Sequence, residues 1–526
     1  MKITFLGATR TVTGSFFVVD TGSTRFAIDC GLFQGPKQIK ERNYQDFGVD
    51  PQSIDFLILT HAHIDHIGLV PKLCKHGFSG PIYCSKPTQE LASILMPDSG
   101  YIQECEVERK NRKYRRAGKP LIEPIYTVED ALESLKQFRY LQLDEIIELA
   151  PTVKVRLRDA GHILGSCIVE LWAEENGQSL KLVFTGDLGN LNKPIVKDPT
   201  MIEDADYVVM ESTYGSRFHK ELGKRIDEFN LIIKETMAKG GNLIIPAFAV
   251  ERTQDILYDL NQLYLQGELD PNIDIYIDSP LAIAATQIFE EHIEYYDQEA
   301  TQMLDEGNHP LKLPNLKFTP SQEESVQLNS IMGNSIIISA SGMCDAGRIK
   351  HHLKHNLWRP ESTILFVGFQ AEGTLGRRII EGEKLVTIHG EQVAVKAEIR
   401  TMQLYSSHAD QAGLLNWLKC FTVPPKGVFL VHGEEQGQQI LAESIRQELH
   451  LPVYIPDWMD QHVLTPSDRI QPKTESKGDE ISKALIAEKM YLDLRSKLNE
   501  LFKQNWTAEN YDELIEKMEK ISSALR

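Results

Sequence analysis

Ile54-Asp-Phe-Leu-Ile-Leu-Thr60 runs straight into His61-Ala-His63-Ile-Asp65-His66-Ile-Gly68, an apolar strand followed by three histidines and an aspartate within six positions. In an extended segment the period of two sends His61 and His63 the same way, while Asp65 and His66 address a second point as the chain enters a helix. One strand end can therefore serve two adjacent metal ions. A single histidine after a strand is ordinarily a hydrogen-bonded surface group; this density of ligand-type residues in one turn is not.

Each ion still needs more donors, which must come from the ends of other strands converging on the same sheet edge. Candidates follow three strand-like runs: Asp159-Ala-Gly-His162 after Lys154-Val-Arg-Leu-Arg158, Thr185-Gly-Asp187 after Leu180-Lys-Leu-Val-Phe184, and Val431-His432 after Gly427-Val-Phe-Leu430. A carboxylate between two cations can bridge them, the role expected of Asp187. His61, His63, His162 and Asp187 would then hold one ion, and Asp65, His66, Asp187 and His432 the other. Such mixed nitrogen and oxygen donors suit zinc, with manganese as the alternative.

Outward from this cluster, the first half of the chain reads as short alternating strands punctuated by Gly, Asp or Pro, broken by one charged helical insertion near 96–143. From about residue 215 strands alternate with helices, implying βαβ units on a largely parallel sheet. The strand-rich style returns from Ala397-Glu-Ile-Arg-Thr401, so the α/β unit is read as inserted into the first domain. After Pro466 a polar linker leads to a helical hairpin, with Thr507 as N-cap and Tyr511, Leu514, Ile515, Met518, Ile521 and Leu525 on one stripe. That tail would brace its own chain or dock a partner.

With 526 residues, 42% hydrophobic and 25% charged, the composition excludes disordered, collagenous and fibrous classes. No apolar window approaches the roughly 18–20 residues of a membrane span, and the opening apolar stretch is too short for a secretory leader. The expected location is the cytoplasm, without membrane contact. Seven scattered cysteines contain no C-x-x-C pair and read as ordinary thiols. A net charge of −19 argues against whole-surface binding of a polyanion, so nucleic acid would have to meet a local basic patch. Arg109, Lys110, Arg112, Lys113, Arg115, Arg116 and Lys119, with Tyr114 among them, form such a run. They could guide an RNA backbone, or equally pair along a helix with Glu104, Glu106 and Glu108.

His61–Gly68, then Gly161-His-Ile-Leu-Gly-Ser166 and Phe184-Thr-Gly-Asp-Leu-Gly189, resemble the second, third and fourth metal motifs of the metallo-β-lactamase fold, and Asp29 in Phe26-Ala-Ile-Asp-Cys-Gly31 matches the first. Glu211, His408 and His432 match the three extra motifs of the β-CASP branch, which includes the polyadenylation cleavage endonuclease and its bacterial and archaeal relatives. Pro246–Gln254 and Ser339–Arg348 are segments typical of that endonuclease-like branch, and the likeness covers about residues 1–460. Two departures stand out: His432-Gly-Glu-Glu-Gln lacks the proline many relatives carry, and the tail beyond about 467 has no counterpart in the short bacterial relatives.

The resemblance implies an α/β protein: a metallo-β-lactamase αββα sandwich (1–208 and 401–466) with an inserted β-CASP domain of largely parallel sheet (209–400), then the linker and helical tail (467–526). It implies a metal-dependent RNA phosphodiesterase with two zinc ions, catalytic Asp65, Asp187, Glu211 and His408, and single-stranded RNA as substrate, cut internally rather than only from the 5′ end. The ions would lower the pKa of a bridging water from 15.7 to about 7. His408 would protonate the leaving oxygen, its pKa raised by Glu211, or hold a non-bridging oxygen, and Asp29 would orient a metal histidine rather than bind metal. Ser341, Gly342 and Arg348, after a strand and leading into a helix, are candidate phosphate contacts, as are Ser407 beside His408 and Arg112, Arg115 and Arg116. Dimerisation is common among relatives, and the sequence leaves the oligomeric state open between monomer and homodimer. Competing readings are a small-molecule hydrolase of lactams or thioesters, a DNA-processing relative, and an inactive RNA-binding subunit. The insertion of nearly 190 residues, His432 and the full ligand set argue against each in turn.

Overall fold

Strands whose alternate residues enter two different cores build the first two layers of the computed structural model, which describes residues 1–219, 225–371, 373–402, 405–465 and 520. One seven-stranded sheet runs, in spatial order, Gln461–Val463, Lys2–Phe5, Phe17–Asp20, Arg25–Ile28, Phe56–Ile58, Ile82–Cys84, Phe138–Tyr140. A second runs Val453–Tyr454, Gly427–Leu430, Tyr207–Met210, Gln178–Phe184, Cys167–Glu175, Val153–Asp159, Ile147–Ala150. Ile3, Phe5, Phe17, Val19 and Phe26 of one sheet meet Val155, Leu171, Leu182, Phe184 and Phe429 of the other in a shared core. Their alternate neighbours face outward under helices: Ala27 and Leu57 with Val70, Leu73 and Leu91, and Val183, Val208 and Leu430 with Leu414, Trp417 and Leu441. Helix, sheet, sheet, helix is therefore the layering, as the sequence leads one to expect.

The inserted segment forms a six-stranded sheet in the order Leu316–Phe318, Asp274–Ile277, Ser335–Ser339, Asn242–Pro246, Thr363–Phe366, Glu398–Thr401, parallel throughout. Helices cover both faces, so its central strands are apolar on both sides, with Leu243 and Ile245 in one core and Ile244 in the other. Glu398–Thr401, at the expected boundary between the insert (209–400) and the returning first domain, is the edge strand of this sheet, paired with Thr363–Phe366. A short periodic strand carries no mark of which sheet it joins. The ribbon Leu385–Ile388 with Glu391–Ala394 was also invisible in the sequence pattern.

The described residues up to 465 belong to one compact unit. The hairpin expected after the linker, with its Thr507 cap, lies outside the described residues apart from Lys520. Among the described residues no helix is long and apolar enough to cross a membrane.

Candidate metal centre

In the second sheet the strands Val153–Asp159, Gln178–Phe184, Tyr207–Met210 and Gly427–Leu430 run in one direction. Their C-terminal ends deliver His162, Asp187, Glu211 and His432 to one edge, facing His61 and His63 beyond the end of Phe56–Ile58. Asp65 and His66 follow on the short helix Ile64–Ile67. Two close backbone approaches make this convergence possible. A Cβ at Gly189 would lie 1.8 Å from the Gly161 carbonyl oxygen, and one at Gly31 1.6 Å from that of Asp65, so only glycine lets these loops touch. Asp29 and His432 sit at φ 57° and 49°, in the left-handed backbone region that is uncommon for non-glycine residues.

The donors form two groups sharing one carboxylate. In the first, His63 Nδ1 is 3.1 Å from both His61 Nε2 and His162 Nε2, and Asp187 Oδ2 is 3.5 Å from each of those Nε2 atoms. In the second, His432 Nε2 lies 3.2 Å from His66 Nε2 and 3.3 Å from Asp65 Oδ2, with Asp187 Oδ1 3.4 Å from His66 Nε2. A tetrahedron with metal–nitrogen bonds of about 2.0–2.1 Å has edges of about 3.3 Å, so these separations fit ligand atoms around an ion. Asp187 Oδ1, moreover, is buried without a hydrogen-bond partner, which a carboxylate can sustain when a cation is its partner. Both observations fit a pair of divalent ions.

Behind the donors, hydrogen bonds fix the tautomers. His66 donates Nδ1–H to Asp29 Oδ2 at 2.7 Å. The Thr60 hydroxyl donates to the same carboxylate at 2.9 Å, so its oxygen, 3.1 Å from His61 Nδ1, can accept that N–H. One buried acid thus orients two histidines, one directly and one through a hydroxyl, turning both Nε2 atoms toward the cluster. His162 Nδ1–H donates to the Ser407 carbonyl at 3.2 Å, and His432 Nδ1 lies 3.1 Å from Thr213 Oγ1.

Burial, aided by neighbouring imidazoles, pushes the pKa of His61 and His162 well below the ordinary histidine range and that of His63 down to about 4. They are neutral, as ligands must be. His66 runs the other way: burial lowers it, but Asp187 and Asp29 outweigh that and raise it well above its ordinary value.

His408 hangs over the cluster, Nδ1 3.2 Å from Glu211 Oε1 and 3.9 Å from Asp187 Oδ2. Burial lowers its pKa, but Glu211 and then Asp187 raise it to about 9. Glu211 is itself held by the backbone N–H groups of Leu188 at 2.7 Å and Thr213 at 3.2 Å.

Other residues singled out in the sequence fall differently. The Ser407 hydroxyl is 3.4 Å from Arg252 Nη2, within the site. Gly342 lies under the ring of Phe248, its missing Cβ position 3.2 Å from ring carbons. Ser341 Oγ donates to the Ala346 carbonyl in its own loop at 3.3 Å. Arg348 is committed to protein: Nη1 reaches Asp278 Oδ1 at 2.7 Å and the Thr319 carbonyl at 2.6 Å, and Nη2 the Pro320 carbonyl at 2.8 Å. Arg112, Arg115 and Arg116 lie at the end of the helix Lys86–Arg116, where Arg112 pairs with Glu108 at 2.6 Å and Lys110 with Glu106 at 3.9 Å. Those exposed pairs follow the along-the-helix alternative.

Sequence reasoning missed a buried clamp. Lys193 Nζ donates to the His162 carbonyl at 2.8 Å and to Glu251 Oε1, and Glu251 Oε2 accepts the Leu164 N–H at 3.3 Å. Burial, partly offset by Lys193, raises the Glu251 pKa to about 7. The insert thereby grips the loop carrying His162. Apart from the acid in Pro246–Gln254, no local signal pairs residues so far apart.

With this geometry in place, comparison with known proteins is informative. Residues 9–100 match the metallo-beta-lactamase superfamily, 253–379 the Beta-Casp domain, and 392–456 the Zn-dependent metallo-hydrolase RNA specificity domain. The chain is 37% identical over 436 residues to Ribonuclease TTHA0252 of Thermus thermophilus, covering 83% of this chain and 94% of that protein. It is 31% identical over 466 residues to Transcription termination factor FttA of Methanosarcina mazei, covering 86% and 70%. Against the FttA protein of Methanocaldococcus jannaschii it is 30% identical over 475 residues, covering 88% and 71%.

Proposed function

Because the chain belongs to the β-CASP family of the metallo-β-lactamase superfamily, we propose that it is a metal-dependent ribonuclease that hydrolyses internal phosphodiester bonds of single-stranded RNA. The observation carrying this reading is the stacking of His408, clasped by Glu211, above two donor groups that share Asp187. His61, His63, His162 and Asp187 would hold one ion, and Asp65, His66, His432 and the other oxygen of Asp187 the second. Two zinc ions bound there would stabilise charge on the phosphoryl oxygens and acidify a water.

The chain's own groups supply the rest. His408 is protonated at neutral pH; with Nδ1 turned to Glu211, Nε2 is the nitrogen that gives a proton to the leaving oxygen. Glu211, fixed by two backbone N–H groups, holds that ring in place. Asp29, Thr60, Thr213 and the Ser407 carbonyl hold the metal histidines in one orientation, so nothing must reorganise as charge develops. The complete donor set speaks against an inactive binding subunit.

The test is a denaturing-gel time course with metal-replete protein, 5′-labelled single-stranded RNA, matched DNA and the Asp187→Ala variant. Discrete internal fragments from wild type alone, absent with DNA, are the expected result. Immediate mononucleotide release would replace internal cutting by 5′ exonuclease action. Intact RNA from a protein holding two ions per chain would overturn the reading.

A further inference from the structure

Three neighbouring parallel strands of the insert, Ser335–Ser339, Asn242–Pro246 and Thr363–Phe366, end side by side. The residues just beyond their C-terminal ends are Gly342, Phe248 and Phe369. Loops at this edge of an open parallel sheet are where such sheets bind ligands. Phe248 and Phe369 are 40% and 50% exposed. Gly342 and Gly368 form the floor under Phe248, since a Cβ on either would lie 3.2 Å or 3.7 Å from its ring. Buried Gln370 ties the floor together, donating to the Gly342 carbonyl at 2.8 Å and the Gly368 carbonyl at 3.3 Å.

This edge connects to the metal centre through one cation. The exposed Arg217 guanidinium lies 5.6 Å from the ring centre of Tyr214 and 5.9 Å from that of Phe369. Tyr214 in turn meets the His408 ring edge-on at 5.9 Å. His408, Tyr214, Arg217 and Phe369 are thus a continuous series from the reacting centre onto the exposed phenylalanines. Flat apolar faces interleaved with a guanidinium match a single nucleic-acid strand, whose bases offer π-faces and whose backbone offers phosphate.

We propose that Phe369 and Phe248 form a stacking platform for unpaired nucleobases beside the scissile phosphate, with Arg217 meeting the adjoining phosphate. The inference rests on the ribonuclease reading and adds the means by which substrate is selected. A duplex cannot use the platform, because its bases are already stacked on one another. Stacking tolerates any base, so the platform selects single strands without selecting sequence.

The test is a coupling cycle between protein and RNA with the full-length, metal-loaded protein. KM and kcat are measured for wild type, Phe369→Leu and Phe369→Tyr on one single-stranded RNA and on copies carrying single abasic nucleotides around the cut. Leucine keeps the apolar bulk and removes the ring. KM should rise about 10-fold or more with Phe369→Leu, from the size of a base–aromatic stack, with kcat changing less, and tyrosine should restore it. One abasic position should cost wild type a similar factor and cost Phe369→Leu nothing further. A merely structural role for Phe369 predicts additive losses at every position; that result, or an unchanged KM, overturns the platform. RNA left uncut and unbound by wild type would overturn the ribonuclease reading and the platform with it, whereas cutting with an additive cycle removes the platform alone.

Discussion

Asp187 and Asp278 each follow a strand of one of the chain's parallel arrays, each is buried, and each touches histidine, yet they end in opposite states. Asp278 is saturated: Oδ1 accepts from Arg348 at 2.7 Å and Thr319 at 2.8 Å, Oδ2 from His352 and Ser325 at 2.6 Å each. Asp187 lies among imidazoles at 3.4–3.5 Å, and its Oδ1 has no hydrogen-bond partner. A carboxylate whose lone pairs are all taken by protein donors holds the fold together; one whose donors face it with lone pairs of their own is arranged for a cation.

Exchanging each acid for alanine should separate the two roles. Asp187→Ala should lose bound metal, measured by elemental analysis of the purified protein, and at least about 10³-fold of RNA cleavage, while the metal-free protein unfolds at an unchanged or higher denaturant midpoint. Asp278→Ala should show the reverse, full metal content with a loss of about 1–3 kcal/mol of stability, because buried His352 and Ser325 and half-buried Arg348 all lose a hydrogen-bond acceptor. Equal metal loss in both variants would erase the distinction.

Asp29→Asn sharpens the contrast from behind the site. It keeps the shape but removes the charge that orients His66 and, through Thr60, His61. Metal affinity, read by competition with a chelator, should fall about 10- to 100-fold while stability of the metal-free protein changes little. The smallest effect is on acid stability. Burial raises the Asp278 pKa, but hydrogen bonds from His352 and Ser325 outweigh it and bring the value from 3.8 down to about 2. A carboxyl depressed in the folded state contributes stability that is fully present above the unfolded pKa and lost as pH falls through the folded one. Unfolding free energy should therefore decline by about 2 kcal/mol between pH 4 and pH 2 on this account, and the Asp278→Ala variant should lack that part of the decline.

Much of the site was legible because its chemistry is local. His61, His63, Asp65 and His66 declare themselves within six positions, and each further donor directly follows a strand. Arg348 shows where such reading stops. It was expected to face substrate from its place between strand and helix, but 70 residues upstream Asp278 claims its guanidinium. The basic run from Arg109 to Lys119 posed the same choice between RNA and neighbouring acids, and the Arg112–Glu108 pair follows from helical spacing alone.

The sequence by itself determined the stacked sheets, the density of ligands after one strand and the order in which the remaining ligands follow, because periodicity and short-range spacing are properties of consecutive residues. Only the tertiary structure decided that Asp29 orients two histidines, that Glu251 and Lys193 grip the loop of His162, that Glu398–Thr401 pairs with Thr363–Phe366, and that Arg217 joins Tyr214 to Phe369. Each of these is a pairing between segments distant in the chain. Burial and hydrogen-bond saturation, which decide what a charged side chain does, exist only once those segments have met.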